Sequence, residues 1–330
     1  MVQILIRRIG YALVTLFFVS IICFIIIQLP PGDYADAYAA KRHAGGEIIR
    51  EEEVEAIRHQ LGLDRPMYIQ YLNWMWGVVR GELGMSLEYK RPVSEVIAER
   101  LPLTLILAFS TMVFIYSVAL SIGIFSAVRQ YSAADHFFTV IGYIGLATPN
   151  FLLALLLMYA SHKWFGQSVG GLFSQQFQDA PWSWARLMDM LSHLWVPVVV
   201  LGTAGTAFQI RTMRAVLLDE LNKMYVIAAR STGLSEFRTL MKYPVRIALN
   251  PIVSTLGWEL TRVISGAPIV GVVLSLPDTG PLFLKSLLDQ DTYLAGAMIL
   301  IYCTLVIAGT FISDVLLIIL DPRIRYERVT

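Results

Sequence analysis

The sequence has little cysteine, little histidine and little charge, and each shortage excludes a class of protein. Only two of its 330 residues are cysteine. Cys23 and Cys303 both lie inside apolar runs, which excludes a disulfide scaffold and a cysteine zinc cluster. Charged residues make up 15%, where soluble domains carry roughly 25%, so the two soluble domains that this length would otherwise suggest are rejected. The 26 basic and 25 acidic residues leave a net charge of +1, which points to no nucleic acid and no acidic partner. No G-x-x-x-x-G-K followed by Ser or Thr occurs, so the chain has no loop of its own for nucleotide phosphates. The five histidines (His43, His59, His136, His162 and His193) fall in loops or at the ends of apolar runs, and none forms H-E-x-x-H. An intramembrane enzyme needs a nucleophile with its base, or metal ligands, facing each other at depth. No catalytic residue and no metal ligand is therefore assigned.

What the sequence has is apolar length. Hydrophobic residues reach 56% and the mean hydropathy is +0.61. A helix needs about 20 mostly apolar residues to cross the hydrocarbon core. Six runs qualify, at 11–29, 103–127, 137–161, 194–211, 247–272 and 295–319. The chain reads as all-α and polytopic, with six transmembrane helices. The first run is longer than a signal-peptide core of 7–15 residues, and Pro30-Pro31-Gly32-Asp33 separates it from the small-residue triplet Ala37-Tyr38-Ala39, so it reads as a retained anchor. With the N-terminus inside, the inner segments hold Arg7, Arg8, Arg129, the seven basic residues from Arg211 to Arg246, then Arg323, Arg325 and Arg328. The two short outer loops hold only Lys163, Arg186 and Lys285. That asymmetry predicts both termini in the cytoplasm. Trp74, Trp76, Trp164, Trp182, Trp184 and Trp195 lie in or beside the outer segments, as interfacial anchors should.

Two polar segments stand out. The outer stretch from 30 to 100 is too long for a plain connector. Val54, Ile57 and Leu61 share a helical face there, acids crowd its start and Gly62 can end it; Ile69, Leu72, Trp76 and Val79 repeat the pattern after Pro66. Either this is a small cap on the outer membrane surface, or it also receives a solute-binding protein. The inner stretch from 212 to 246 mixes charge with Leu217, Leu218, Leu221, Tyr225 and Ala228 at helical spacing. Gly233 tolerates φ > 0 and Ser235 can cap a second short helix through Tyr243. An interfacial amphipathic hairpin and a rigid knob beneath the membrane both fit that spacing.

Here a resemblance enters. Ile227-Ala228-Ala229-Arg230-Ser231-Thr232-Gly233 resembles the Glu-Ala-Ala, three residues, Gly loop of binding-protein-dependent ABC importer permeases, with Ile227 where the pattern has Glu. Tyr243-Pro244-Val245-Arg246 stands where Ile-x-Leu-Pro usually follows. Pro30-Pro31-Gly32-Asp33, Leu61-Gly62-Leu63-Asp64-Arg65-Pro66, Gln70-Tyr71, Gly81-Glu82-Leu83-Gly84-Met85-Ser86, Glu99-Arg100-Leu101-Pro102 and Leu320-Asp321-Pro322-Arg323 match the dipeptide/oligopeptide/nickel group in order. The resemblance implies a type I ABC importer permease fold in a bacterial cytoplasmic membrane. Its parts would be an anchor at 1–29, an extracytoplasmic helical subdomain at 30–100, a permease core at 101–320 with a coupling loop at 212–246, and a cytoplasmic tail at 321–330. It implies a homologous second permease, two ATP-binding cassette subunits that hold ATP and Mg, and an extracytoplasmic solute-binding protein. It also marks Ala228, Ala229, Arg230, Gly233, Leu234 and Arg238 as residues of the ATPase-coupling segment.

Glu259 and Arg262, three apart in the fifth run, face the same way on a helix. Charge at that depth costs at least about 2.5 kcal/mol unless paired or wet. Two readings follow: a self-neutralising pair buried against other helices, or lining of an aqueous path. An ion-coupled secondary transporter would place acids or histidines along several spans, and only this one carries a clear charged pair. Pro149 and Pro268 are expected to kink their helices. For the substrate, di/oligopeptides lead and oligosaccharides follow. The wording Ile264-Ser265-Gly266-Ala267-Pro268 and the aromatic third loop (Trp164, Phe165, Phe173, Phe177, Trp182, Trp184) suit sugar uptake, although interface anchoring explains the aromatics equally.

Overall fold

The computed structural model describes residues 2–29, 32–47, 49–166, 170–178 and 180–320. The Pro30-Pro31 pair and the tail at 321–330, both used in the resemblance, lie outside the described residues. Among those described the structure is helical with no strand; one isolated antiparallel bridge joins Met85 and Pro92. The helices are, in chain order, α1 (Val2–Ile27), α2 (Tyr34–Ala44), α3 (Glu51–Leu61), α4 (Met67–Val79), α5 (Val93–Ala98), α6 (Leu101–Val128), α7 (Ala133–Ala147) and α8 (Asn150–Phe165). They continue with α9 (Trp184–Leu221), α10 (Met224–Ser231), α11 (Glu236–Lys242), α12 (Pro244–Ser254), α13 (Leu256–Val273), α14 (Thr279–Leu288) and α15 (Thr292–Leu320). Five helical stretches are long and apolar enough to cross a membrane, and the bent pair α7–α8 makes six if it counts as one crossing.

The sequence-based boundaries need three corrections. The fourth run folds as part of α9, which spans 38 residues, about 57 Å at 1.5 Å per residue, so it continues well past 211 into the stretch read as loop. The fifth run is not continuous from 247: α12 ends at Ser254 and α13 starts at Leu256, which leaves 18 residues for the crossing. The third run bends by 111° at Thr148-Pro149, since Pro disfavours α geometry in the residue before it. Thr148 accordingly has ψ 121°. Pro268, by contrast, stays inside α13 without ending it.

The chain forms two compact units, Met1–Thr104 with Asp278–Leu305, and Leu105–Pro277 with Val306–Thr330. In the first, α3 and α4 stand where the amphipathic spacing places them, and Gly62 ends α3 in the left-handed conformation at φ 68°. Helix α2 was not anticipated. Its start explains the Pro-Gly-Asp wording: Gly32 takes φ 94°, and Asp33 and Asp36 cap each other's backbone N–H at 3.0 Å. Arg58 then ties α3 to that cap, with Nε 2.6 Å from Asp33 and Nη2 2.8 Å from Asp36. Gln70 and Tyr71 bind α1, accepting from Gln28 at 3.0 Å and meeting the Ser20 hydroxyl at 2.9 Å. Phe24 stacks on Trp74 beside them. A core of Val93, Val96, Ile97, Leu282, Leu294, Ala297 and Met298 fills the unit.

The second unit is organised by α9, which packs against α7, α8, α12 and α13. Ala127, Met213, Leu217, Val245, Ala248 and Ile252 form one core, and Ala108, Ile115 and Val263 another. Small residues permit the close approach. A Cβ added to Gly205 would sit 2.8 Å from Glu259 Oε2 and 2.9 Å from Ile115.

Candidate functional site

The inner polar segment folds as two short helices and a Gly turn. Helix α9 ends at Leu221 and α10 begins at Met224, so the apolar spacing from Leu217 to Ala228 belongs to two helices rather than one. Tyr225 donates to Glu220 at 2.5 Å across that break; burial, and then the neighbouring carboxylate, push its phenol above the ordinary range and keep it a neutral donor. Gly233 takes φ 81°, as its place between the helices requires. Ser235 occupies the N-cap of α11 with extended backbone, yet its side chain makes no cap hydrogen bond.

This knob has an inner and an outer face. Val226, Ala229 and Thr239 are buried, and Leu240 packs on the α9–α12 core. Met224, Ile227, Phe237 and Met241 are exposed, Phe237 at 71%. Of the two alanines singled out from sequence, Ala228 is exposed and Ala229 is buried within the chain's own packing. Leu234 is half-buried and Arg238 is exposed. Arg230 is held 3.2 Å from Glu236, so it braces α10 to α11 across the Gly233 turn. Four large apolar side chains are therefore left exposed on the eighteen residues from Met224 to Met241.

The second constellation is the intrahelical pair. Glu259 is fully buried and ion-paired with Arg262 Nη2, while the Arg262 side chain is 34% exposed. Gln209 Nε2 donates to Glu259 at 3.2 Å and to Thr255 at 2.7 Å, and Tyr116 reaches Thr255 at 3.4 Å. Gly205 leaves room for both charged groups. Sequence reasoning found the pair but missed Gln209, Thr255 and Gly205, which have no charge to flag them. It also missed a second ion pair: Arg214 donates to Asp135 at 2.9 and 3.1 Å across a separation of 79 residues, so no local spacing could reveal it. His193, expected at a span end, lies buried inside α9 with Nδ1 2.8 Å from the Asp189 carbonyl.

In the first unit, two widely separated motifs meet. Ser86 donates to Asp291 Oδ2 at 2.5 Å, and the Glu88 and Leu294 amides donate to the same carboxylate at 3.2 Å. Nearby, the Thr279 amide donates to Thr104 (2.9 Å) and the Tyr302 hydroxyl donates to Thr279 (2.9 Å). Asp278 caps α14 through the Gly280 amide at 3.2 Å. Burial raises this carboxyl to about 7, against the lesser pull of that amide and Arg100, and its Oδ2 has no partner among the described residues.

Among the described residues this is a helical, polytopic membrane protein with an amphipathic knob and ion pairs held within its apolar helices. Residues 119–326 match the model of the binding-protein-dependent transport system inner membrane component family, and residues 1–108 match the N-terminal component of such systems. The chain belongs to this family. It is 33% identical to the oligopeptide transport system permease protein AppB of Bacillus subtilis, over 98% of this chain and 99% of that one. It is 29% identical to the dipeptide transport system permease protein DppB of Escherichia coli, over 99% and 100%. Among solved structures, a chain of the MetNI methionine ABC transporter aligns with 76% of this chain and 98% of its own at TM-score 0.48 and 17% identity.

Proposed function

We propose that this chain is the permease subunit of an ATP-driven importer that passes di- or oligopeptides from an external binding protein to the cytoplasm. The family supports the transport role, and the full-length relatives named for oligopeptide and dipeptide transport support the substrate. ATP hydrolysis belongs to two partner ATPase subunits, since this sequence has no nucleotide-phosphate loop. A homologous second permease completes the path, and both termini lie in the cytoplasm with 30–100 outside. The single observation that carries the mechanism is the knob: Met224, Ile227, Phe237 and Met241 are exposed on a segment anchored from within by Val226 and Ala229. In this reading the α10–α11 segment, with Ala228, Arg230, Gly233, Leu234 and Arg238, docks on an ATPase and transmits its closure to α9 and α12. Glu259 and Arg262 belong to the path wall.

The aromatic third loop does not choose between peptide and oligosaccharide, and the peptide reading rests on the relatives. Phe173 is buried, and the Arg186 guanidinium lies 4.6 Å from the Phe173 ring centre and 4.8 Å from the Trp182 ring centre, while Trp164, Trp182 and Trp184 stay exposed. Vesicles reconstituted with the permease pair, the ATPases and the binding protein test the proposal. Labelled peptides should enter in an ATP-dependent manner and oligosaccharides should not. Robust uptake by the isolated chain, or uptake of oligosaccharide alone, contradicts it.

A further inference from the structure

The exposed side of α13 is a single stripe. Trp258, Ser265, Ile269 and Val272 are exposed and the half-buried Arg262 falls in line with them, at spacings of four, three, four and three, while Gly257, Glu259, Val263, Ile264, Ala267 and Val270 face inward. Arg262 therefore sits in the middle of an otherwise mostly apolar stripe, about 9 Å from the helix start at Leu256. A cation there does not face lipid without a cost of at least about 2.5 kcal/mol. It faces protein or a watered path.

The pair is also unequal. Glu259 is fully buried and spends its oxygens on Arg262 and Gln209. Arg262 uses Nη2 for Glu259, and its Nε and Nη1 have no hydrogen-bond partner among the described residues. The constellation thus turns donors, not a carboxylate, toward whatever passes. A second observation points the same way. Helix α8 packs on α13, and it starts at the 111° break with Pro149 as its N-cap and no side chain accepting from its first amides. Those orphan N–H groups carry the positive end of a 16-residue helix. Asn150 Nδ2 lies 3.6 Å from where a Cβ on Gly266 would be, and Gly266 is one turn, about 6 Å, along α13 from Arg262. Broken helices whose half-helix N-termini meet anionic groups at membrane depth are a recurrent transport device.

We infer that Arg262, backed by Glu259 and joined by the uncapped start of α8 at Asn150, forms an intramembrane station for the free carboxylate of the translocated solute. The inference rests on the proposed importer role and narrows its substrate to molecules with a carboxylate. Arg supplies a planar pair of N–H donors that fits a carboxylate in a way no neutral sugar reproduces. Glu259 holds the guanidinium in place and keeps its net charge low enough for the solute to leave.

The test compares a labelled tripeptide with its C-terminal amide in vesicles carrying the complete importer and its binding protein. The ratio of kcat/KM, carboxylate over amide, is measured for the wild type and for the double variant Glu259→Gln with Arg262→Gln. Dividing one ratio by the other cancels the binding protein's own preference. The double variant should lose about tenfold or more of the carboxylate preference, the scale of one hydrogen bond to a charged group. An unchanged ratio overturns the inference, because a purely structural pair, or one that meets a partner's acidic side chain, slows both substrates alike. Should the double variant fail to assemble, Asn150→Asp is read by the same criterion: an acid at a helix N-terminus is tolerated by the fold, yet repels a carboxylate. Absence of any peptide uptake by the wild type overturns the proposed function itself, and this inference with it.

Discussion

The unit holding α2–α5 and the α10–α11 knob use polar and apolar residues in opposite ways. In the former, motif residues are consumed internally: Asp33 and Asp36 by each other and Arg58, Gln70 and Tyr71 by α1, Ser86 by Asp291. In the knob the internal bonds are few, and Met224, Ile227, Phe237 and Met241 have no cover. The difference teaches which motifs hold the chain together and which, in the proposed reading, await a partner. Residues that are satisfied at home report on folding. Residues left exposed at some cost report on assembly.

Several substitutions would break or sharpen that contrast. The largest effect is expected at Glu259→Gln, which leaves Arg262 without its counter-charge: about 3–5 kcal/mol lost. The yield of assembled permease should fall further than in the double variant with Arg262→Gln, and equal, additive losses would show that the two do not interact. Next comes Asp291→Ala, which strands the Ser86 hydroxyl and the Glu88 and Leu294 amides. A buried unpaired group costs about 1–3 kcal/mol, so detergent melting should drop while ATPase recovery per folded molecule stays normal. Ala229→Asp belongs with these, because it forces a carboxylate into the inner packing of the knob; it should lower folded protein as well as coupling.

A smaller effect should follow pH. Asp278 binds its proton more tightly in the folded chain, at about 7, than the 3.8 of an unperturbed aspartate, chiefly through burial. The unfolded chain therefore holds fewer protons in that window, and stability should decline as pH rises from about 4 to 7. Asp278→Asn should flatten that slope. Asp33 acts with the opposite sign: burial works to raise it, but Arg58 and the Asp36 and Ala35 amides together outweigh burial and hold it below its usual range. Its contribution is lost only as pH falls below the ordinary carboxylate range. Melting curves across pH on the parent and on Asp278→Asn separate the two.

Much of the fold was legible because apolar runs and helical spacing are local. Six crossings, α3, α4 and the Gly233 turn all follow from residues within a few positions of one another. What escaped needs tertiary contact. The length of α9 past Arg211 is set by Met213 and Leu217 packing against α12, not by hydropathy. The Asp135–Arg214 and Ser86–Asp291 pairs join residues far apart in sequence. At the candidate sites, sequence marked the segment 224–243 and the Glu259–Arg262 pair, but not their faces. That Ala229 turns inward and Ala228 outward, or that Arg262 stays half-buried while Glu259 is fully buried, depends on where α9 lies.

The central claim is that the uncovered apolar face of the knob is the seat of a partner ATPase. It is tested most directly by co-purifying the ATPase subunits with tagged permease complexes carrying Ile227→Asp or Phe237→Asp. Both side chains are exposed, so insertion and melting should stay within about 0.5 kcal/mol of the parent. ATPase recovery should fall at least about tenfold, as expected for losing a central apolar anchor, and substrate-stimulated hydrolysis should vanish with it. Undiminished recovery with normal stimulated hydrolysis in both variants would contradict the account.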